Sequence, residues 1–215
     1  MKSLAHIAVA VLCLCSCTPE NLTSVLIAKR CQEYHEREGH WYDKEVLLEL
    51  VSQSVFSDNN TEIIQLRMDN KSDEFEYHNL FRGVHLEYRA GACTAHNDSS
   101  SCENYEWASK FYPYIWGIPS KFFDPGVQVQ DAFEEEFINE KPVYVIHIAY
   151  ENEDWDFYIN RESYYLEGFK FVKKDDRGGE IVFNEGAKTV NGIVMPTKRI
   201  WYDLDMKLLG TDVLK

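Results

Sequence analysis

Val143-Tyr144-Val145-Ile146-His147-Ile148-Ala149-Tyr150 is an apolar run of strand length, and after a polar break Trp155-Asp156-Phe157-Tyr158-Ile159-Asn160 follows it. Successive side chains of a strand point to opposite faces. Val143, Val145, His147 and Ala149 therefore share one face of the first run, and Tyr144, Ile146, Ile148 and Tyr150 the other. Both are apolar, which an antiparallel sheet with one solvated side does not require. In the second run Trp155, Phe157 and Ile159 oppose Asp156, Tyr158 and Asn160. Strands of this kind either fill the middle of a core or line a cavity, and periodicity alone does not separate the two.

Outward from these runs the chain keeps strand spacing. Upstream, Glu45–Phe56, Glu62–Met68, Glu74–Leu80 and Val84–Arg89 are separated by Ser57-Asp58-Asn59-Asn60, Asp69-Asn70-Lys71-Ser72 and Arg82-Gly83, the chemistry of hairpin turns. Val127–Phe133 directly precedes them, and downstream come Tyr164–Lys173, Glu180–Asn184, Ile193–Tyr202 and Leu208–Leu214. Two stretches are helical instead. Asn21 is placed to cap a helix from Leu22 to Glu38, which Gly39 stops, and Tyr105, Ala108, Phe111, Tyr112 and Ile115 recur at helical spacing between Glu103 and Ile115. About eleven strands with two helices predict a mostly β, α+β fold built on a large curved antiparallel sheet. An aromatic content of 14% suits it. No linker rich in Pro, Gly or Ser interrupts residues 22–215, which read as a single domain.

Charge narrows the partners. With 36 acidic against 22 basic side chains the formal net charge is -14, which repels phosphate backbones and excludes nucleic acid as the expected partner. The N-terminus carries an address. Residues 1–16 hold Lys2 and then an apolar run from Leu4, too short to span a bilayer, so they read as a signal peptide. Its end, Leu14-Cys15-Ser16-Cys17, resembles the bacterial lipobox, in which the cysteine is acylated and becomes the new N-terminus. On that reading Cys17 is the lipidation site, with palmitate among the expected acyl groups, and residues 17–21 are a lipidated tether. An exported chain can form disulfides. Cys93 and Cys102 flank a short polar loop able to bring them into bonding range, which leaves Cys31 as a free thiol on a helix.

Several segments carry a family resemblance. They are Phe111-Tyr112-Pro113-Tyr114-Ile115-Trp116-Gly117-Ile118-Pro119, the Asp124-Pro125-Gly126 turn, Trp155 to Asn160 with Tyr164-Tyr165-Leu166-Glu167-Gly168, Gly192 to Pro196, and Trp201-Tyr202 with Leu209-Gly210-Thr211-Asp212. Together they resemble an uncharacterised family of bacterial, Bacteroidota-type outer-membrane lipoproteins. At superfamily level the chain is similar to the LolA/LolB-like lipoprotein-localisation-factor fold. The resemblance implies an unclosed antiparallel β-barrel, two or three helices covering its concave face, and acyl chains held on that face. It lends a fold and no mechanism.

Catalytic motifs are missing from the sequence. It has no G-x-S-x-G elbow, P-loop, dinucleotide fingerprint or HExxH, so neither a catalytic residue nor a cofactor is expected. His35 and His40 fall on different helical faces, His78, His85, His96 and His147 stand apart along the chain, and Glu134-Glu135-Glu136 reads as a solvated loop or strand edge, so no metal site is expected. The expected function is a monomeric, non-enzymatic carrier or receptor for a lipid or other apolar small molecule. It would be anchored to the outer membrane through its acyl group and face the periplasm. Phe111, Tyr112, Trp116, Trp155 and Phe157 are the expected ligand-binding residues, from their apolar spacing beside the two-faced strands. The alternatives are an envelope hydrolase or carbohydrate-binding module using cleft carboxylates, and an interaction scaffold with no ligand.

Overall fold

A computed structural model describes residues 21–38, 40–56, 61–98, 100–175 and 178–215. The expected signal peptide, Cys17, Gly39 and the expected turn at 57–60 lie outside these residues. Fourteen strands are present among them: β1 Glu45–Ser54, β2 Thr61–Asp69, β3 Glu74–Asn79, β4 Val84–Arg89, β5 Ala92–Ala95, β6 Val129–Ile138, β7 Lys141–Ala149, β8 Glu153–Asn160, β9 Leu166–Lys173, β10 Gly179–Glu185, β11 Lys188–Val190, β12 Ile193–Met195, β13 Lys198–Asp203 and β14 Leu208–Leu214. Twelve make one antiparallel sheet, in the order β5-β4-β3-β2-β1-β14-β13-β10-β9-β8-β7-β6, while β11 and β12 pair separately. The sheet curves without closing, since β5 and β6 form its two ends.

Two helices, α1 Ser24–His35 and α2 Cys102–Gly117, sit on the concave face. Thr23, and not Asn21, caps α1, with its Oγ1 accepting from the Leu26 N–H at 3.2 Å. The buried stripe is Ser24, Ile27, Ala28, Cys31 and His35, so Val25 faces solvent. Burial pushes the Cys31 thiol up. Ser101 caps α2, and Cys102 at its first residue is bonded to Cys93 on β5, which ties the helix to the sheet edge.

The register explains the two-faced strands. Trp155 pairs with Phe171 and Phe157 with Phe169 across β8 and β9, while Ile146 and Ile148 of β7 lie opposite Phe157 and Trp155. These side chains form the concave core with Ile27, Cys31, Ile115 and Phe122. On the convex side Val143, Val145 and Tyr158 make a smaller cluster with Ile138, Ile181 and Phe183. Both faces of β7 are therefore buried. Gly168 allows β9 and β10 to approach, because a Cβ there would stand 2.2 Å from the Val182 carbonyl oxygen.

Two expectations change, and one pair of alternatives is decided. The run Ile193–Tyr202 is two strands, since Pro196 lacks the N–H a ladder needs and β12 turns back on β11 through Asn191-Gly192. The glutamates at 134–136 lie inside edge strand β6, where charge hinders further strand addition. His78 and His85 are direct partners on β3 and β4, and the rings of His78, His85 and His96 stack with centroids 4.8 and 4.3 Å apart. Pairing thus gathers histidines that stand apart along the chain. Among the described residues, no group of three or more His, Cys, Asp or Glu could hold a metal ion.

Candidate functional site

Helix α2 does not fill the concave face. Its Ala108, Tyr112 and Trp116 pack on β1–β4 and Ile115 on β7–β10, while Trp107, Phe111 and Tyr114 look onto a cleft of about 1010 Å³. That is the upper end of the roughly 300–1,000 Å³ usual for small-molecule sites. The opposite wall is Trp155 and Phe171 from β8 and β9, Trp201 from β13, and Leu209–Asp212 from β14, with Ser52–Ser54 and Phe56 at the end of β1. Gly210 brings β14 close to β1, because a Cβ there would lie 2.3 Å from the Gln53 carbonyl oxygen. Most of the lining is apolar, and its aromatics are held in place. Tyr114 and Tyr150 share a hydroxyl hydrogen bond at 2.5 Å, and the Trp155 ring packs on Phe171 with centroids 4.8 Å apart.

Two hydrogen bonds brace polar groups of the wall. Trp155 Nε1–H donates to Glu153 Oε2 at 3.0 Å, and Trp201 Nε1–H to Asp212 Oδ2 at 2.8 Å. Burial pushes the Asp212 carboxyl up against the pull of Ser52, Trp201 and the Arg199 charge. Glu180 is raised by burial as well. Behind the wall Arg199 is buried. Its guanidinium stacks 4.1 Å over the Trp116 ring, donates to the Ile115 carbonyl at 3.0 Å, and is lowered by burial to about 10.

A smaller recess of about 440 Å³ opens beside the cleft, and Ser52, Ser54, Trp107 and Tyr112 line both. It is polar. Glu62 there accepts from Asn79 Nδ2 at 2.6 Å and from Arg82 Nε at 2.9 Å. Burial works to raise the Glu62 carboxyl, and the Arg82 and Asn79 hydrogen bonds more than offset it, leaving it below the usual range.

The five residues singled out in the sequence divide. Phe111, Tyr112 and Trp155 line the cleft. Trp116, 2% exposed, lies under Arg199, and Phe157, 0% exposed, packs against Phe122 with centroids 4.6 Å apart, so both sit in the core. Tyr114, Tyr150, Phe171, Trp201 and Asp212 belong to the cleft and were not singled out.

A family model described as a family of unknown function, DUF6503, matches residues 91–212, more than half of the chain. The chain belongs to DUF6503. The match takes in α2 and every cleft strand except β1. Among the curated proteins nothing matches this DUF6503 chain. Solved structures resemble it in fold. A LolA superfamily protein from Nitrosomonas europaea is 12% identical, with a TM-score of 0.60 over 90% of this chain and 92% of that one. A DUF1329 family protein from Desulfovibrio piger is 10% identical, with a TM-score of 0.54 over 89% of this chain and 90% of that one. A domain assigned to outer membrane lipoprotein sorting, from Vibrio parahaemolyticus, is 10% identical, with a TM-score of 0.52 over 89% of each. The DUF6503 chain therefore has a LolA-like fold.

Proposed function

We propose that this DUF6503 chain is an envelope lipoprotein that holds a lipid acyl chain or a comparable apolar ligand in the cleft under α2, as a monomeric, non-enzymatic carrier or receptor. Residues 1–16 are its signal peptide, Cys17 its acylated residue, 17–21 its tether and 22–215 its domain, facing the periplasm from the outer membrane. The observation that carries this reading is the aromatic wall itself, an apolar surface left open on the concave face of a LolA-like sheet. Each methylene moved from water onto such a wall contributes roughly 0.8 kcal/mol, so a partly enclosed chain binds usefully. Against a hydrolase stands the duty of two wall carboxylates, each of which already accepts an indole N–H.

Phe111 is the place to test the wall, because it is half-buried and lies between helix and cleft. Phe111→Glu should weaken binding of an uncharged solvatochromic dye at least about tenfold while the domain keeps the far-ultraviolet circular dichroism of the wild type. Unchanged dye affinity in a folded variant removes the cleft from the account. The anchor is tested separately. Cys17→Ser should move the mature domain out of the membrane fraction or leave the precursor uncleaved, and a variant that fractionates and weighs like wild type refutes lipidation at that residue.

A further inference from the structure

The cleft and its polar recess share Ser52, Ser54, Trp107 and Tyr112, so one ligand can occupy both, with an apolar body in the larger space and a polar end in the smaller. The charges on the walls decide what that end can be. Glu151, Glu153, Glu180 and Asp212 line the cleft against Lys110 and Lys173. Lys110 is paired with Glu106 at 2.6 Å, and the Lys173 charge already acts on Glu180. In the recess the guanidinium of Arg82 is held by Glu62 through two hydrogen bonds. An anionic head group would enter an acidic, partly desolvated site where Lys110 and Arg82 already pair with glutamates, and like charges at low dielectric repel strongly. A head that donates hydrogen bonds meets acceptors, namely the Asp212 carboxyl beside Ser52 and the Glu62 carboxylate across the shared rim.

Resting on the proposed apolar cleft, we propose that the ligand is an amphiphile whose polar end carries hydrogen-bond donors and no net negative charge. Its chain lies along Phe111, Trp155 and Phe171, and its head reaches Ser52, Asp212 and Glu62. The class includes hydroxylated neutral lipids and primary amines, and leaves out free fatty acids. An anionic head meets these carboxylates as like charges, whereas a donor head adds to the hydrogen bonds they already accept, which gives the head its selectivity.

Three probes with the same twelve-carbon chain separate the head from the chain: monolauroylglycerol, dodecylamine and laurate. Each would be titrated calorimetrically into the mature domain at neutral pH, below its aggregation concentration. The glycerol ester and the amine should bind at least about tenfold more tightly than laurate, and Asp212→Asn should raise the affinity for laurate relative to that for the glycerol ester. Asparagine keeps an acceptor for Trp201, and Glu62→Gln, which frees Arg82, should shift laurate the same way. Equal affinities for the three probes, or tightest binding of laurate, overturn the head-group proposal while the apolar cleft stands. If none of the probes and no dye binds, the cleft reading falls and this proposal with it.

Discussion

Trp155→Ala should cost about 3–5 kcal/mol of unfolding free energy, the range for removing a large aromatic from a packed site that collapses only in part. The residue is 5% exposed, and its ring stacks on Phe171, Phe169 and Phe157 with centroids at 4.8, 5.4 and 5.7 Å. Tyr114 meets it edge-on at 5.3 Å. The substitution removes these contacts and leaves Glu153 without its indole donor. Trp107 is the control, since it lines the same cleft but is 48% exposed, and Trp107→Ala should cost no more than about 1 kcal/mol. Urea unfolding followed by far-ultraviolet circular dichroism reads both. A cost for Trp155→Ala as small as that for Trp107→Ala would mean that β8 and β9 are not packed as described.

The second large effect is on acid stability, through His35. Its ring is buried on α1 and stacks on Tyr165. Nδ1–H donates to the Val194 carbonyl at 2.7 Å, and Nε2 accepts from the Leu166 N–H at 3.1 Å, an arrangement open only to the neutral ring. Burial lowers its pKa to about 4, with the charges of Arg199 and Arg37 adding to the effect against the Val194 hydrogen bond. The unfolded chain, near 6.5, takes up a proton that the folded chain refuses. The stabilisation is therefore complete above about pH 6.5 and is lost as pH falls toward 4, by about 2 kcal/mol at pH 5 and about 3 kcal/mol in all. Because carboxylates such as Glu62 also titrate in acid, the measurement is the difference between wild type and His35→Gln, taken from urea unfolding at pH 7, 6 and 5. That difference should narrow by about 2 kcal/mol between pH 7 and 5. Parallel pH profiles would mean that the fold does not hold the His35 ring neutral.

Much of the fold was legible because alternation is a local signal. Val46, Leu48 and Leu50 point inward between outward Leu47 and Glu49, and strand-length segments bounded by turn residues located β1 to β4 and β7 to β10. Ala92–Ala95 gave no signal, because a short strand without large apolar residues leaves no period to read. The cleft was legible only by element. The sequence places Phe111 and Trp116 on one aromatic helix, but which of them faces open space depends on where the buried Arg199 guanidinium sits, and that is fixed by Asn184 and Ile115 from distant segments. Phe157 has the same alternation as Trp155, yet Phe122 covers it. Asp212 was legible only as a member of the strand Leu208–Leu214, and the Trp201 indole that it accepts from comes from the neighbouring strand.

The central claim is that the concave cleft holds an acyl-bearing ligand, and native mass spectrometry of residues 22–215, exported to the periplasm without Cys17 and purified without detergent, tests it most directly. The account predicts a population heavier than the polypeptide by the mass of one lipid-sized molecule, released by organic solvent and depleted in Phe111→Glu. A single species at the mass of the bare chain, together with failure of that preparation to bind an uncharged apolar dye, would contradict it.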